Sequence, residues 1–474
     1  MSVVLLAGAI LPVAATYLLL APVRRGGASQ AYAIALSIGV GLGIASCTFF
    51  LALVLFDGRR AGAMAIDALL FVCALIVWRR CAAPPATRPA PWSSNQRLLA
   101  VAVVCAATAG ATSFLANTLD SPHGNWDAWA TWNVRARWLA EAGSAWRTSF
   151  AKPTMHGDYP LLLPATVARL WVYAGADAPF VPAAVAAAYA TALVLLLYAA
   201  LAALRGRAQG LIGALCLLGT PVFLRVAPWQ YADVPLAFNL LAVITSLALY
   251  DRDPTRGRPL LVWAGVAAGL AAWTKNEGMM LLLGIVGVRA VLLIARRPAD
   301  LRGAAWFAAG LLPPAATVLY FKWRLAPRLG QFGQPLGTLA DRLFDLERYG
   351  AILRAAAFEL ARGMGPLLLG LTVYALLLGR TREPGARRLA ARVAPILAFA
   401  ALGYGFTYLT NRAQLAWLLT FSMDRLQLQI WPSVLLAILL YLASPSEHEV
   451  ALPQRAPNAR RPAKAAARRH ARRR

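Results

Sequence analysis

Side chains that could take part in chemistry are concentrated in one polar stretch, residues 119–164. It contains three Asp, two His and five Trp, and long apolar segments lie on both sides of it. Asp127 stands between Trp126 and Trp129, shortly after an apolar segment. A carboxylate held at the mouth of a membrane can take a proton from a hydroxyl group, which makes Asp127 a candidate catalytic base. The alternative is that Asp127 caps or neutralises the start of a helix.

The residues around Asp127 have the pattern of an amphipathic helix, residues 126–141. In a helical conformation, Trp126, Trp129, Val134 and Trp138 can face the bilayer, and tryptophan is common at the depth of the lipid headgroups. The sequence therefore predicts a helix in the membrane interface that holds Asp127 at a fixed depth.

A second acidic candidate follows in the run His156-Gly157-Asp158-Tyr159-Pro160. Gly, Asp and Pro are typical of a turn, which is the structural alternative for Asp158. We predict Asp158 as a catalytic residue and His156 and Tyr159 as substrate-binding residues. The chain has four His and no metal-ligand spacing, so neither a metal site nor a cofactor is predicted.

Further charged residues lie at the ends of apolar segments. Asp233 follows Tyr231 in Gln230-Tyr231-Ala232-Asp233-Val234-Pro235, where the alternative role is a helix N-cap. Lys275 and Glu277 share a tight hairpin, where the alternative is a structural ion pair. Lys275 can instead hold a phosphate as a point charge.

Near the end of the chain, Arg425 follows Asp424 just before the final apolar segment, and Arg412 lies in the same outer segment. An arginine there can clamp a lipid-linked phosphate. The structural alternative is an arginine that extends toward the headgroups from a helix end. We predict Tyr231, Asp233, Lys275, Glu277, Arg412 and Arg425 as substrate-binding residues.

The elements that must position these residues are membrane helices. Hydrophobic residues make up 59% of the 474 residues, and apolar runs that can cross a ~30 Å hydrocarbon core recur along the chain. The fold class is therefore all-α, a polytopic integral membrane protein of about thirteen transmembrane helices. The N-terminal apolar run is interpreted as the first span rather than a signal peptide, because no basic region precedes it. The thirteen predicted spans are residues 2–22, 31–56, 61–78, 98–117, 180–204, 210–229, 234–250, 260–273, 279–294, 304–322, 357–378, 393–409 and 428–442.

Basic residues set the predicted orientation. The formal net charge of +27 comes from arginines in short loops and in a tail, and most of those loops alternate onto one side. This is the positive-inside pattern, so a nucleic-acid partner is excluded and the N-terminus and residues 119–164 are predicted outside. The basic tail, residues 444–474, is predicted to be disordered and to lie inside against anionic lipid. The five Cys lie in or beside apolar segments and are interpreted as buried apolar residues rather than a disulfide framework.

The order of these motifs resembles the GT-C glycosyltransferases. Asp127 in the first large outer loop is followed by the Tyr231-Ala232-Asp233-Val234-Pro235 junction and then by Thr274-Lys275-Asn276-Glu277-Gly278. The sequence is most similar to the bacterial group of protein mannosyltransferases and lipid A aminoarabinose transferases. The resemblance extends over residues 98–294 and, more loosely, the region of Arg425. Two features differ from that group: three spans precede the outer-loop module, and there is no large outer C-terminal domain.

The resemblance implies transfer of a sugar from a polyprenyl-phosphate donor to an acceptor on the outer face of a bacterial inner membrane, with Asp127 as the base. The acceptor would be an envelope glycolipid, glycan or protein, and membrane lipid is the other expected partner. The chain then divides into N-terminal helices (1–97), a GT-C-like catalytic module (98–295), C-terminal helices (296–443) and the tail (444–474). A flippase or transporter of a lipid-linked glycan and an O-antigen-ligase-like enzyme are the alternatives. The sugar, the acceptor, a requirement for a divalent metal and the oligomeric state stay open.

Overall fold

The computed structural model describes residues 3–81, 91–152, 156–296, 301–327 and 336–447. Within these ranges the chain is helical, and the one β-type pairing is an isolated bridge between Arg380 and Leu442. The all-α membrane fold predicted from the sequence is confirmed at this level. Most of the predicted basic tail, from residue 448 onward, lies outside the described residues.

The helices up to the middle of the chain are α1 (Val3–Leu19), α2 (Ala21–Arg25), α3 (Gln30–Phe56), α4 (Arg60–Arg80), α5 (Ser94–Asp120), α6 (Asn133–Glu141), α7 (Leu162–Ala174), α8 (Phe180–Arg205), α9 (Arg207–Leu218) and α10 (Pro221–Val226). A π-helix, Ala128–Trp132, leads directly into α6, and a 3₁₀ helix, Gly143–Ala151, follows it. A short 3₁₀ helix, Ala227–Trp229, follows α10.

The remaining helices are α11 (Asp233–Arg252), α12 (Arg258–Thr274), α13 (Asn276–Arg296), α14 (Leu301–Arg324), α15 (Leu336–Phe344), α16 (Leu346–Leu378), α17 (Pro384–Thr410) and α18 (Leu415–Tyr441). Each predicted span coincides with one helix, or with the pair α9 and α10. Eight helices in the described ranges have the length and apolar composition needed to cross a membrane. A ninth is added if the α9–α10 pair, bent by 61°, counts as one span. The count of thirteen spans stays a prediction.

Three late helices begin earlier than the predicted spans: α16 at Leu346 instead of residue 357, α17 at Pro384 instead of residue 393, and α18. The last helix, α18, begins at Leu415 instead of residue 428, so Arg425 lies about three turns inside a helix and not in an outer segment. The apolar pattern is interrupted there by Asp424, Arg425, Gln427 and Gln429. Because each of these side chains makes hydrogen bonds within the bundle, the helix can include them at little cost.

The helices differ widely in how much of their surface the bundle covers. Helix α11 lies at the centre, and 94% of its most apolar 18-residue window is buried. Helix α5 lies at the periphery, and none of its residues is buried. The apolar side chains of α5 therefore face the surroundings, as expected of a helix in lipid.

The short apolar helix α7 is a feature that the sequence analysis did not predict. It packs mainly against α3 and α6, and its Arg169 is buried between α1 and α4. Two nitrogens of Arg169 donate to one carboxylate oxygen of Asp67, at 3.2 and 2.5 Å, and a third donates to the Gly8 carbonyl at 2.7 Å. Tyr173 also donates to Asp67. A buried charge is tolerated here because both ions are paired.

Charged side chains gather at two ends of the bundle. One end, called the Asp127 end, contains Asp127, Asp233, Lys275 and Arg425. The other, called the Arg205 end, contains the ion pairs of Arg205 with Glu383 and Glu447. Since successive helices run between these two ends, the residues predicted outside share one end, as the alternation of basic loops requires.

Candidate functional site

The candidate site begins at Asp127, just before the π-helix. The backbone N–H of Asp127 donates to the Tyr231 hydroxyl at 3.1 Å, which ties the outer loop to the start of α11. The Asp127 side chain makes no helix-cap hydrogen bond. Its carboxylate instead accepts a hydrogen bond from Arg425 and is 25% exposed. Asp127 is thus a fixed and reachable carboxylate that makes no cap hydrogen bond, although its charge still lies at the start of the helical segment 128–141.

Arg425 links Asp127 to the interior of the bundle. Its Nη1 lies 4.0 Å from the second carboxylate oxygen of Asp233 and its guanidinium lies 5.0 Å from the centre of the Tyr231 ring. The Arg425 side chain is only 14% exposed. It therefore does not extend toward the headgroups, as the structural alternative required, but occupies the space between two acidic side chains.

Asp233 lies at the bottom of this group and is 1% exposed. One of its oxygens accepts hydrogen bonds from Lys275 at 3.0 Å and from the Gln429 amide at 2.6 Å. Asp233 is the first residue of α11, and the N-cap position is held by Ala232, so Asp233 is not the N-cap that the sequence offered as its alternative role. With this environment, Asp233 serves as the counter-ion that holds Lys275 and Arg425 in place.

Lys275 lies between two carboxylates, because its ammonium nitrogen is also 3.2 Å from Glu277. The structural ion pair considered for Lys275 and Glu277 is therefore present, and Asp233 adds to it. The Lys275 side chain is 7% exposed. Because Lys275 is nearly covered, we expect its positive charge to act on a ligand through electrostatic attraction rather than through a direct hydrogen bond.

Asp158 lies in a turn next to this group, as the sequence pattern indicates. Its carboxylate accepts a hydrogen bond from Asn276 at 2.6 Å and lies 3.7 Å from the Lys322 ammonium. Lys322 also donates to the Asp158 carbonyl and the Asn276 side chain, each at 2.6 Å. Residues from the outer loop, the α12–α13 hairpin and the end of α14 thus meet at Asp158.

The turn that carries Asp158 is supported by buried Arg135 of α6. Arg135 donates to the carbonyls of Gly157 at 3.3 Å and Tyr159 at 2.8 Å. Burial lowers the pKa of the Arg135 guanidinium to about 10, and the Asp158 carboxylate acts in the opposite direction. Arg135 therefore remains positively charged at neutral pH and fixes the backbone of the turn.

Aromatic rings form a wall beside these charges. The Tyr159 ring stacks on His156, with centroids 4.5 Å apart, and on Trp132, with centroids 5.8 Å apart. The Lys275 nitrogen lies 5.7 Å from the Tyr159 ring centre, which connects the turn to the ion pairs of Asp233. Burial lowers the pKa of the His156 imidazole, so this residue is neutral at pH 7.

Several buried polar atoms of the site have no hydrogen-bond partner within the described ranges. They include one carboxylate oxygen of Asp158, one of Glu277, the Nε of Arg425 and the indole nitrogen of Trp132. Buried polar atoms are usually paired, so such atoms mark places where a ligand or water completes the hydrogen bonding. Two acceptors and one cationic donor match a ligand that carries hydroxyl groups and an anionic group.

Nine of the ten predicted site residues are therefore brought together in two adjoining groups. Asp127, Tyr231, Asp233, Lys275, Glu277 and Arg425 form the first, and His156, Asp158 and Tyr159 form the second. Arg412 is the exception. It is exposed in the turn between α17 and α18, and no hydrogen bond or ion pair to this site is found for it among the described residues.

Sequence reasoning missed Arg135, Asn276, Lys322 and Gln429. A signal for Gln429 was present, since Ser422, Arg425 and Gln429 recur at helical spacing and share one face of α18. No comparable signal marks Lys322, which follows an apolar run and reads as an ordinary helix end.

Within the described ranges, no three His, Cys, Asp or Glu residues lie close enough together to hold a metal ion. The five Cys are free thiols, but only Cys216 is buried, whereas Cys73 and Cys105 are exposed on α4 and α5, so the interpretation of all five as buried residues is wrong. Comparisons with protein-family models, with curated proteins and with solved structures give no match for this chain. The assignment of a function therefore rests on the residues and the geometry of this site.

Proposed function

We propose that this protein is a membrane-embedded, inverting glycosyltransferase with a GT-C-like fold. It moves a sugar from a polyprenyl-phosphate carrier to an envelope glycolipid, glycan or protein on the periplasmic face of a bacterial inner membrane. The observation that carries the proposal is the Asp127–Arg425 pair, a reachable carboxylate held by a cation at the edge of a buried charge cluster. Group transfer from a lipid phosphate uses a base for the acceptor hydroxyl and a cation for the departing phosphate.

In the proposed reaction, the acceptor hydroxyl gives its proton to Asp127 as its oxygen attacks the anomeric carbon of the sugar. The new carbon–oxygen bond forms on the face opposite the phosphate, and the bond to the phosphate oxygen breaks. The electron pair of that bond leaves with polyprenyl phosphate. Arg425 stabilises the negative charge that develops on the departing phosphate.

Arg425 can bind first the Asp127 carboxylate and then the donor phosphate, because its position allows an exchange of partners. The Arg425 guanidinium binds the Asp127 carboxylate. A donor phosphate is a stronger, bidentate partner for arginine and draws Arg425 toward itself. Asp127 is then released from its hydrogen bond and is available as a base when the donor is bound.

For Lys275, the proposal is an indirect electrostatic role in place of direct binding of a phosphate. Because it lies between Asp233 and Glu277 and is nearly covered, it supports the charge of the site from behind Arg425. The free oxygens of Asp158 and Glu277 are placed to accept hydrogen bonds from sugar or acceptor hydroxyls.

The test uses purified protein in nanodiscs with undecaprenyl phosphate linked to radiolabelled hexoses or pentoses and an envelope-lipid extract as acceptor. We expect labelled product and free undecaprenyl phosphate in equal amounts. The thermal stability should rise with undecaprenyl phosphate in the wild type but not in Arg425→Gln, and undecaprenol should have no effect on either. Movement of the intact donor across a proteoliposome membrane, without release of undecaprenyl phosphate, would show a flippase instead.

A further inference from the structure

A second cluster of charge lies at the Arg205 end of the bundle, away from the candidate active site. Asp251 of α11 accepts from Arg289 of α13 through both carboxylate oxygens, each at 3.2 Å. Arg392 of α17 lies 2.7 Å from the same carboxylate. Two guanidinium groups from two helices therefore share one acidic side chain, which is 6% exposed.

The balance of charge in this cluster is opposite to that around Arg205. Arg205 is 2% exposed and is surrounded by two carboxylates, Glu383 and Glu447. By contrast, Arg289 and Arg392 are 23% and 21% exposed, and Asp251 is the one carboxylate with which both form ion pairs in the described part of the chain. Each guanidinium group has five N–H donors and one positive charge, so a single carboxylate cannot pair with all donors of two such groups. The cluster therefore keeps a net positive charge and N–H groups that can bind a further acceptor.

An apolar groove continues from these arginines between α11, α13 and α17. It is lined by Leu247, Val288, Leu292, Leu389 and Ile396 together with the stems of the two arginines. The outer face of α13 beside it is exposed, as Val291 shows with 66% exposure. Leu247, Leu389 and Ile396 are buried, whereas Val288 and Leu292 of α13 are half-buried, so the groove reaches the surface of the bundle along α13.

We propose that Arg289, Arg392 and this groove form a binding site for one anionic glycerophospholipid. The phosphate accepts hydrogen bonds from the two guanidinium groups, and one acyl chain packs along the exposed side of α13 at the mouth of the apolar groove. Basic pockets between transmembrane helices on the cytoplasmic side recognise lipid headgroups in this way. The predicted orientation places this end in the cytoplasmic leaflet, where anionic lipids are enriched.

A lipid fits this site better than a free phosphate does. A free phosphate would use the arginines but leave the groove without an occupant, whereas a phospholipid satisfies both parts of the site. Asp251 acts as an internal competitor, because it occupies guanidinium donors that the phosphate also needs. This proposal does not depend on glycosyl transfer.

The experiment measures lipid binding to the delipidated full-length protein in detergent by native mass spectrometry and by thermal shift. The probes are dioleoyl phosphatidylglycerol, dioleoyl phosphatidylcholine and inorganic phosphate. We expect one phosphatidylglycerol to bind in preference, with clear thermal stabilisation, and little effect of the other two probes. Arg392→Gln should weaken binding of phosphatidylglycerol about tenfold, the usual loss for one charge-assisted hydrogen bond.

Two further variants distinguish lipid binding at Arg289 and Arg392 from a nonspecific attraction of the lipid to exposed arginines. Arg388→Gln removes the same charge from an exposed position one turn earlier on α17 and should bind phosphatidylglycerol as the wild type does. Asp251→Asn removes the competitor and should bind it more tightly. The proposal is overturned if Arg388→Gln loses as much affinity as Arg392→Gln, if phosphate alone gives the full stabilisation, or if Asp251→Asn binds the lipid more weakly while remaining folded.

Discussion

Arg425 donates a hydrogen bond to Asp127, a residue 298 positions earlier in the chain, and the same nitrogen lies 4.0 Å from Asp233. One side chain of the last helix thereby joins the outer loop to the most buried helix of the bundle. The consequence is that the reachable carboxylate and the buried carboxylate share one cation. A change at any of the three residues alters the electrostatics of the other two.

The first prediction concerns Asp127→Asn. The amide keeps the volume of the side chain but cannot accept the proton of an acceptor hydroxyl, so sugar transfer should fall by about 10²–10⁴-fold. Folding should survive, because Arg425 retains Asp233 as a nearby counter-ion. The measurement is transfer of labelled sugar, with donor binding followed separately by thermal shift.

Asp158→Asn is the matched control for this change. Its carboxylate oxygen accepts from the Asn276 amide, and an amide at position 158 can keep that hydrogen bond through its own oxygen. We expect a partial loss of transfer. Near-normal transfer by Asp127→Asn would remove this residue from the role of base and favour Asp158.

The second prediction concerns the buried pair of Lys275 and Asp233. Lys275→Met leaves the carboxylate of Asp233, which is 1% exposed, without its closest cation. The variant should lose about 3–5 kcal/mol of stability, and Lys275→Met with Asp233→Asn should recover part of that loss. Thermal unfolding in detergent measures both variants.

The comparison for the second prediction is Arg137→Gln. Arg137 and Asp177 form an ion pair at 2.6 Å whose side chains are 50% and 45% exposed. Such a pair contributes less than about 1 kcal/mol. If Lys275→Met proves no more destabilising than Arg137→Gln, the ion pairs of Lys275 do not stabilise the site.

The third prediction concerns pH. Burial lowers the pKa of His156, so the folded state favours the neutral imidazole more than the unfolded state does. This contribution to stability is complete above the ordinary histidine pKa of about 6.5 and is lost as the pH falls below it, because only the unfolded state gains the proton. The melting temperature should therefore fall between pH 7.5 and 5.5 more in the wild type than in His156→Asn.

Asparagine is the suitable replacement in this experiment. His156 has a φ of 54°, and asparagine tolerates that left-handed backbone conformation better than most residues. Equal pH responses of the two proteins would show that His156 is not kept neutral by its surroundings.

The fourth prediction is topological. A reporter that is active only in the periplasm should be active when fused after Gly143 and silent when fused after Ser444. The reason is that the positive-inside rule predicts a cytoplasmic location for the Arg205 end, where basic loops gather. Strong periplasmic activity after Ser444 would reverse the orientation and place the candidate site on the opposite face.

The helical elements and most of the site were predictable because hydropathy and charge reflect local rules. An apolar run in lipid must form a helix, because its backbone hydrogen bonds have to be satisfied internally. An acidic residue at the end of such a run therefore lies at one end of the helix bundle. The start of α18 was not predictable, because the partners that make Arg425 and Gln429 acceptable in a membrane come from Asp127 and Asp233. Those contacts are tertiary, and hydropathy does not record them.

The same reason explains why α7 escaped prediction. Its thirteen residues are too few to cross a bilayer, and Arg169 interrupts their apolar pattern. The carboxylate of Asp67, 102 residues away, and the carbonyl of Gly8 make that arginine acceptable inside the bundle. From the local sequence around each residue, nothing indicates that Asp67 and Arg169 form a pair.

The Asp67–Arg169 pair also has a consequence for how the protein is made. Helix α4 leaves the ribosome with its acidic residue long before α7 exists, and an isolated aspartate near a helix centre opposes insertion by about 3 kcal/mol. At a synthesis rate of about 5–20 residues per second, Arg169 follows roughly 5–20 seconds later. During that interval Asp67 has no Arg169 to pair with, so the buried ion pair between α4 and α7 forms only after α7 has been made.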